Sequence, residues 1–428
     1  MIAESAPALR QKSLRTLASL MGRLARARRF VGDAAPEARS PGAAVASRLG
    51  QRLDVVFAEV AVVLPHIARW IETARDPGAE PADQPGLAAI DPGLAAMSDR
   101  LAAIERALLK LPGQMPPPPE AFEVLQAVVG DANLAPIVLV GEDLEFDADG
   151  FIPLPVWLAL APLEWPRRAV AALALAGARP VEAGGHTEVP PADVGTLDRQ
   201  AASVLGPAYG FALVERWLAQ LGASVGSRAA TGPDALPVQD PPALGDRIAA
   251  VAVELERRGL LGGELQRVFQ DVVAGHLPPA SASSTVEVSA SPARTAGTPL
   301  DRAYGREDAE AAEFAAQRLS AGILASARPG LDLATVRAGR ERLLAREDCT
   351  PEDVYQVLDG LREVPLSAAH ILNGGWLALE RSRLTWLSDA LASPDPVRAF
   401  GLRVLALDAL VLKSLETAGV HRLMEARA

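Results

Sequence analysis

Ser224, set in Gly222-Ala-Ser-Val-Gly226, has the outline of a nucleophile elbow, G-x-S-x-G. That device needs a strand before the serine and a helix after it, so that a strained turn exposes the hydroxyl to a histidine base and the chemistry is hydrolysis or acyl transfer. Here helical spacing runs up to Leu221 and a polar, proline-containing loop follows. His276, His370 and His421 all lie downstream as possible bases, and no spacing selects one of them. The context therefore reads as a glycine loop closing a helix, with a Ser224 hydrolase kept as the alternative.

Glu145, Asp147, Asp149 and Gly150 fall at positions 1, 3, 5 and 6 of a calcium loop, and Ile152 suits the eighth. The twelfth position is Val156 where a bidentate carboxylate belongs, and Pro153 and Pro155 obstruct the helix that should leave the loop. A solvated Asp-Gly turn is the simpler reading. The five histidines (His66, His186, His276, His370 and His421) form no i, i+4 ligand pair, and His66 is expected as a hydrogen-bonded core or boundary residue. None of the three lysines follows a phosphate-binding glycine loop, and no G-x-G-x-x-G follows a strand. Neither cofactor nor metal is expected. The single cysteine, Cys349, excludes an intrachain disulfide and is read as a small core residue.

The strongest physical signal is charge separation. Between Ser5 and Gly32 stand seven basic residues (Arg10, Lys12, Arg15, Arg23, Arg26, Arg28 and Arg29) and no acidic one, although the whole chain carries -11. On a helical wheel Leu9, Leu14, Leu17, Leu20, Met21, Leu24 and Val31 share one side, with the basic residues largely opposite. Arg15, Arg23, Arg26, Arg28 and Arg29 are thus the candidate interaction residues. Three fates suit such a helix. Its leucines pack on the protein's own helices while the arginines are solvated or pair with the acidic middle; it docks on another protein; or residues 9–31 lie on an anionic membrane or on nucleic acid phosphates. Few aromatics and an acidic body weigh against a dedicated nucleic-acid protein.

The elements that must carry these residues are helical. With 49% apolar content and apolar spacings of three and four residues over long segments, the chain is expected to be mainly α, a set of helical bundles with at most a small β element around 137–156. Ser40-Pro41, Asp91-Pro92, Thr350-Pro351 and Asp395-Pro396 read as helix starts, and single helices are expected over 163–178, 193–221, 244–258 and 264–274. Asn373-Gly374-Gly375 reads as a break ahead of Trp376. Residues 277–305, rich in Ser, Thr, Ala and Pro, read as a flexible linker. The expected organisation is a basic helix over 1–32, an acidic mainly helical domain over 33–276 with a possible division near 112–119, that linker, and a C-terminal helical domain over 306–428. No run suits a bilayer span and the start lacks the compact apolar core of a secretory signal, so a cytoplasmic location is expected. An arginine-rich, alanine-rich composition resembles that of a GC-rich bacterial genome. Segregated charge on helices, without convergent polar residues, points to a non-catalytic scaffold, adaptor or assembly subunit that works through other proteins.

Overall fold

Apolar residues at helical spacing become buried helix faces throughout the computed structural model, which describes residues 6–34, 41–75, 86–108, 121, 124, 128, 161–176, 179–180, 187–188, 194–220, 244–261, 263–274, 306–325 and 367–425. In chain order the helices are α1 (Ala6–Ala34), α2 (Pro41–Arg75), α3 (Gly86–Leu108), a 3₁₀ turn (Pro162–Arg168) leading into α4 (Ala169–Ala176), α5 (Val194–Leu205), α6 (Pro207–Gln220), α7 (Leu244–Arg257), α8 (Gly263–Ala274), α9 (Arg306–Ala325), α10 (Ala368–Leu391) and α11 (Pro396–Glu425). The fold is mainly α. Its β content among the described residues is one short antiparallel pair, Arg179–Pro180 with Thr187–Glu188. The segment 137–156, where the β element was expected, lies outside the described residues, as do Thr350-Pro351, Cys349, the linker 277–305 and the spacer near 112–119.

Local signals explain most boundaries. α2 and α11 begin on Pro41 and Pro396, whose missing N–H belongs to the first turn, where it needs no partner. Asp395 completes the start of α11 by accepting the Arg398 N–H at 3.1 Å. α3 begins five residues ahead of Asp91, because Leu87 and Ile90 extend backwards the spacing of the buried Leu94, Met97, Leu101, Ile104 and Leu108. The single helix expected over 193–221 is two. Gly206, at φ 63°, takes the left-handed conformation that ends α5, and Pro207 opens α6.

α10 runs without a break through Asn373, Gly374 and Gly375. The two glycines serve close packing instead of a turn. A Cβ on Gly374 would lie 2.6 Å from the Ala315 Cβ and 2.8 Å from the Ala312 carbonyl oxygen, so α9 meets α10 backbone to backbone along Ala312, Ala315 and Ala316. On the other side a Gly375 Cβ would meet the Leu163 and Val411 side chains at 2.7 and 2.9 Å. Gly401 does the same between α1 and α11, where a Cβ would come 2.5 Å from that of Ala25.

These contacts make one core. A single cluster of buried apolar residues extends from Leu14 to Ala418 and includes side chains of every helix. α1 packs against α2, α3, α6, α10 and α11, and α10 reaches α1, α6 and α8 as well as its neighbours α9 and α11. The described parts of the segments expected as separate bodies, 1–32, 33–276 and 306–428, therefore share a core. At its centre Phe211 stacks on Trp376 with centroids 5.6 Å apart and meets Phe269 edge-on at 5.1 Å, while the indole N–H of Trp376 donates to the Leu163 carbonyl at 3.0 Å. No helix among the described residues is long and apolar enough to cross a membrane.

Gly374→Val should cost about 2–3 kcal/mol in urea unfolding, because neither the Ala312 backbone nor the Ala315 methyl can retreat. Gly93→Ala, in α3 with nothing within 4 Å of the added carbon, should instead gain roughly 0.5–1 kcal/mol.

Candidate functional site: the buried arginine–carboxylate seam

From Ser13 to Leu24 every residue of α1 is buried, so the helix is enclosed on its charged side as well as its leucine side. Arg15, Arg23 and Arg26 share one face at spacings of eight and three residues, and each meets a carboxylate from elsewhere in the fold. Arg23 is held on α3: its Nε and Nη2 donate to the two oxygens of Glu105 at 3.1 and 2.6 Å, and its Nη1 donates to the Ser98 hydroxyl at 2.9 Å. Arg26 bridges two elements. Its Nε and Nη2 donate to Asp408 of α11 at 2.7 and 3.0 Å, and its Nη1 donates to Glu164 of the 3₁₀ turn at 3.2 Å. Arg15 donates to the Asp271 carbonyl at 3.2 Å and lies 3.5 Å from Glu380 of α10.

The seam continues beyond α1. Arg167 supplies the second oxygen of Glu164 with an N–H at 3.1 Å, and Arg383 of α10 reaches Glu215 of α6 at 2.9 Å and Glu380 at 3.1 Å. Five arginines (15, 23, 26, 167 and 383) thus face five carboxylates (Glu105, Glu164, Glu215, Glu380 and Asp408), and the seam is neutral. Such balance is what burial demands, since an uncompensated interior charge costs several kcal/mol even after relaxation. A second cluster ties α5, α6 and α7. Arg247 donates twice to Asp198, at 2.9 and 2.7 Å, and the Tyr209 hydroxyl donates to the same carboxylate at 2.5 Å.

Burial and pairing compete at these groups. Burial pulls the Arg26 guanidinium down, but Asp408 and then Glu164 and Glu215 outweigh it and hold it above the ordinary arginine range. Glu164 is pushed up by burial, although Arg167 and Arg26 oppose the shift. Asp408 moves the same way for the same first reason, against Arg26. At Glu215 the order reverses: burial would raise it, but Arg383, Ser19 and Arg26 together hold it below the usual carboxylate value.

A polar clamp lies beside the seam. Asn373, fully buried in α10, accepts the Ala208 N–H at 2.7 Å and donates to the Leu205 carbonyl at 2.8 Å. One amide thus satisfies two backbone groups left over where Gly206 parts α5 from α6. Glu313 of α9 acts similarly on α8, accepting the Glu264 N–H at 2.7 Å, and Arg381 of α10 pairs with Glu264 itself. Both devices use a side chain of the C-terminal helices to finish a helix of the middle segment.

Of the five candidate interaction residues, only Arg28 and Arg29 are exposed. Arg28 lies 3.5 Å from Asp54 and over the Phe57 ring at 4.8 Å. Arg15, Arg23 and Arg26, the other candidate interaction residues, are buried in the seam, where Arg23 and Arg26 pair with carboxylates of the middle segment. Ser224 lies outside the described residues, as do His186 and His276. His370 is already in use: its Nδ1 accepts the Ser367 N–H at 3.2 Å, its own N–H donates to the Ser367 hydroxyl, and its Nε2 faces Asp308. Ser367, His370 and Asp308 share the composition of a catalytic triad but build a helix cap, because the serine hydroxyl meets the histidine backbone and not its ring. His66, expected at a core or boundary position, is exposed on α2. Among the described residues no group of three or more His, Cys, Asp or Glu could hold a metal. The pairing of Glu164, Glu215, Arg383 and Asp408 was not legible in the sequence, where the available signal was a charge inside an apolar run, as with Asp408 between Val404 and Leu412.

No family model, curated protein or solved structure matches this chain.

Arg26→Met should destabilise the protein by about 3–5 kcal/mol in chemical denaturation, because it leaves Asp408 and Glu164 buried without their shared cation. Arg28→Met, at an exposed pair, should change stability by no more than about 1 kcal/mol.

Proposed function

We propose that the protein is a non-catalytic helical scaffold or adaptor, a subunit of a bacterial cytoplasmic assembly that works through contacts with other proteins. The observation that carries this reading is the outer face of α2. Among the described residues five large apolar side chains stand exposed, and three of them, Val45, Val55 and Val62 at 46, 55 and 69% exposure, belong to that one helix. Val55 and Val62 are seven residues apart and so project from the same side, with the exposed Arg48 and Arg52 one to two turns before Val55. A helix that buries Leu49, Leu53, Val56, Val60 and Leu64 against the core and keeps valines on its far side suits a partner helix laid along it. The interior supports the same reading from the opposite direction. Its charged groups neutralise one another, and His370 is spent on a cap. Arg48 and Arg52, exposed on α2 itself, give that surface a cationic character suited to an acidic partner.

Cross-linking in the source cell, followed by affinity purification and mapping of the linked peptides, should place partner proteins on α2. The double variant Val55→Glu, Val62→Glu should lose them by tenfold or more while keeping wild-type helix content. An unchanged partner set, or turnover of a small metabolite by the purified protein, would overturn the reading.

A further inference from the structure

Along α2, Arg48, Arg52, Val55, Glu59, Val62 and His66 follow one another at alternating steps of four and three residues. They form one stripe on the side away from the buried Leu53, Val60 and Leu64. All are exposed except Glu59, which is half-buried. The charges are ordered along the stripe: Arg48 and Arg52 precede Val55, and Glu59 follows it. Among the described residues no hydrogen bond or ion pair holds either arginine, and Glu59 gives only its Oε1 to Arg100 of α3. A carboxylate accepts at both oxygens, so Oε2 is open to a second cation.

We propose, resting on the docking role given to α2 above, that this stripe is the contact of a homodimer, with α2 of a second copy lying antiparallel across it about a twofold axis at Val55. The charge order selects both partner and direction. In a parallel pair Arg52 would face Arg52 and Glu59 would face Glu59. In the antiparallel pair Arg52, three residues before the axis, comes level with Glu59 of the second copy, four residues after it, to within the rise of one residue, about 1.5 Å. At 100° per residue both stand on the same flank of Val55, and a twofold axis perpendicular to the helices keeps like flanks together. Arg52 and Glu59 therefore meet twice, on either side of the two central valines. Arg48 comes level with Val62 of the second copy, where its methylenes cover the valine while its guanidinium stays in water. Ala58, exposed on the other flank, has only a methyl group and lets the helices approach. The stripe is about 27 Å long, and one helix face of that length offers less than the roughly 800 Å² per partner of a standard interface. The dimer is accordingly a reversible one.

Sedimentation equilibrium of the full-length protein from about 5 to 200 µM covers the range in which so small an interface associates. The native protein is expected to pass from monomer to dimer across it. Val55→Glu, which sets two carboxylates on the axis, should weaken the dimer about tenfold or more. Arg52→Glu alone and Glu59→Arg alone should each do the same. An equimolar mixture of these last two should dimerise again, because each copy then offers the charge the other lacks. None of the three substitutions touches the buried face of α2, so helix content should match the native protein. A native protein that stays monomeric, a dimer that any of the single variants leaves unchanged, or a mixture that remains monomeric overturns the proposal. These measurements use the purified chain alone, so a native monomer whose cellular cross-links are still lost in the Val55→Glu, Val62→Glu variant overturns the homodimer and leaves the scaffold role standing.

Discussion

The fold turns on one guanidinium. Arg26 joins the first described helix to the last, through Asp408, and to the 3₁₀ turn midway between them, through Glu164. Moving three charges out of water is costly, and their mutual attraction repays this only in near-ideal geometry. What the arrangement contributes is orientation: α1 rotated by one residue would aim Arg26 at apolar neighbours and leave two carboxylates buried without it. Leucines alone do not impose such a rule, since Leu17, Leu20, Met21 and Leu24 would be buried in several registers. Arg23 on Glu105 and Arg15 beside Glu380 repeat the constraint toward α3 and α10.

A second constraint is steric. Backbones approach closely where Gly374 meets Ala312 and Ala315 and where Gly401 meets Ala25, and these crossings bring the C-terminal helices near enough for their polar side chains to finish helices of the middle segment. Asn373 can serve Ala208 and Leu205 only because Gly374 and Gly375 beside it let α10 sink into the core. The glycines and the asparagine thus form one packing unit, and its cost in helix propensity is met by hydrogen bonds and contact area.

With the interior charges of the seam committed to one another, the proposed scaffold role would rest on the outer faces. α2 carries three of the five large apolar side chains exposed among the described residues, Val45, Val55 and Val62, and Arg28 and Arg29 are the exposed arginines described on α1. The scaffold role proposed above rests on where polar and apolar groups are left exposed among the described residues.

The residue pattern by itself determined the helical class, the starts of α2 and α11 at Pro41 and Pro396, the α7–α8 pair and the helical extent of α1, because apolar spacing and capping are local properties. Tertiary structure decided what local spacing cannot encode. In the sequence the arginines of α1 were open to solvent, to the acidic middle of the chain or to a partner, since the carboxylates that neutralise them lie 82, 138 and 382 residues away along the chain. Asn373-Gly374-Gly375 read as a break, because the same three residues favour a turn in water and a tight helix crossing when another backbone is pressed against them. Likewise the shared core of α1 and α11 was invisible across the Ser- and Thr-rich segment 277–305. Whether a charge faces water or another charge is settled by which distant element arrives beside it.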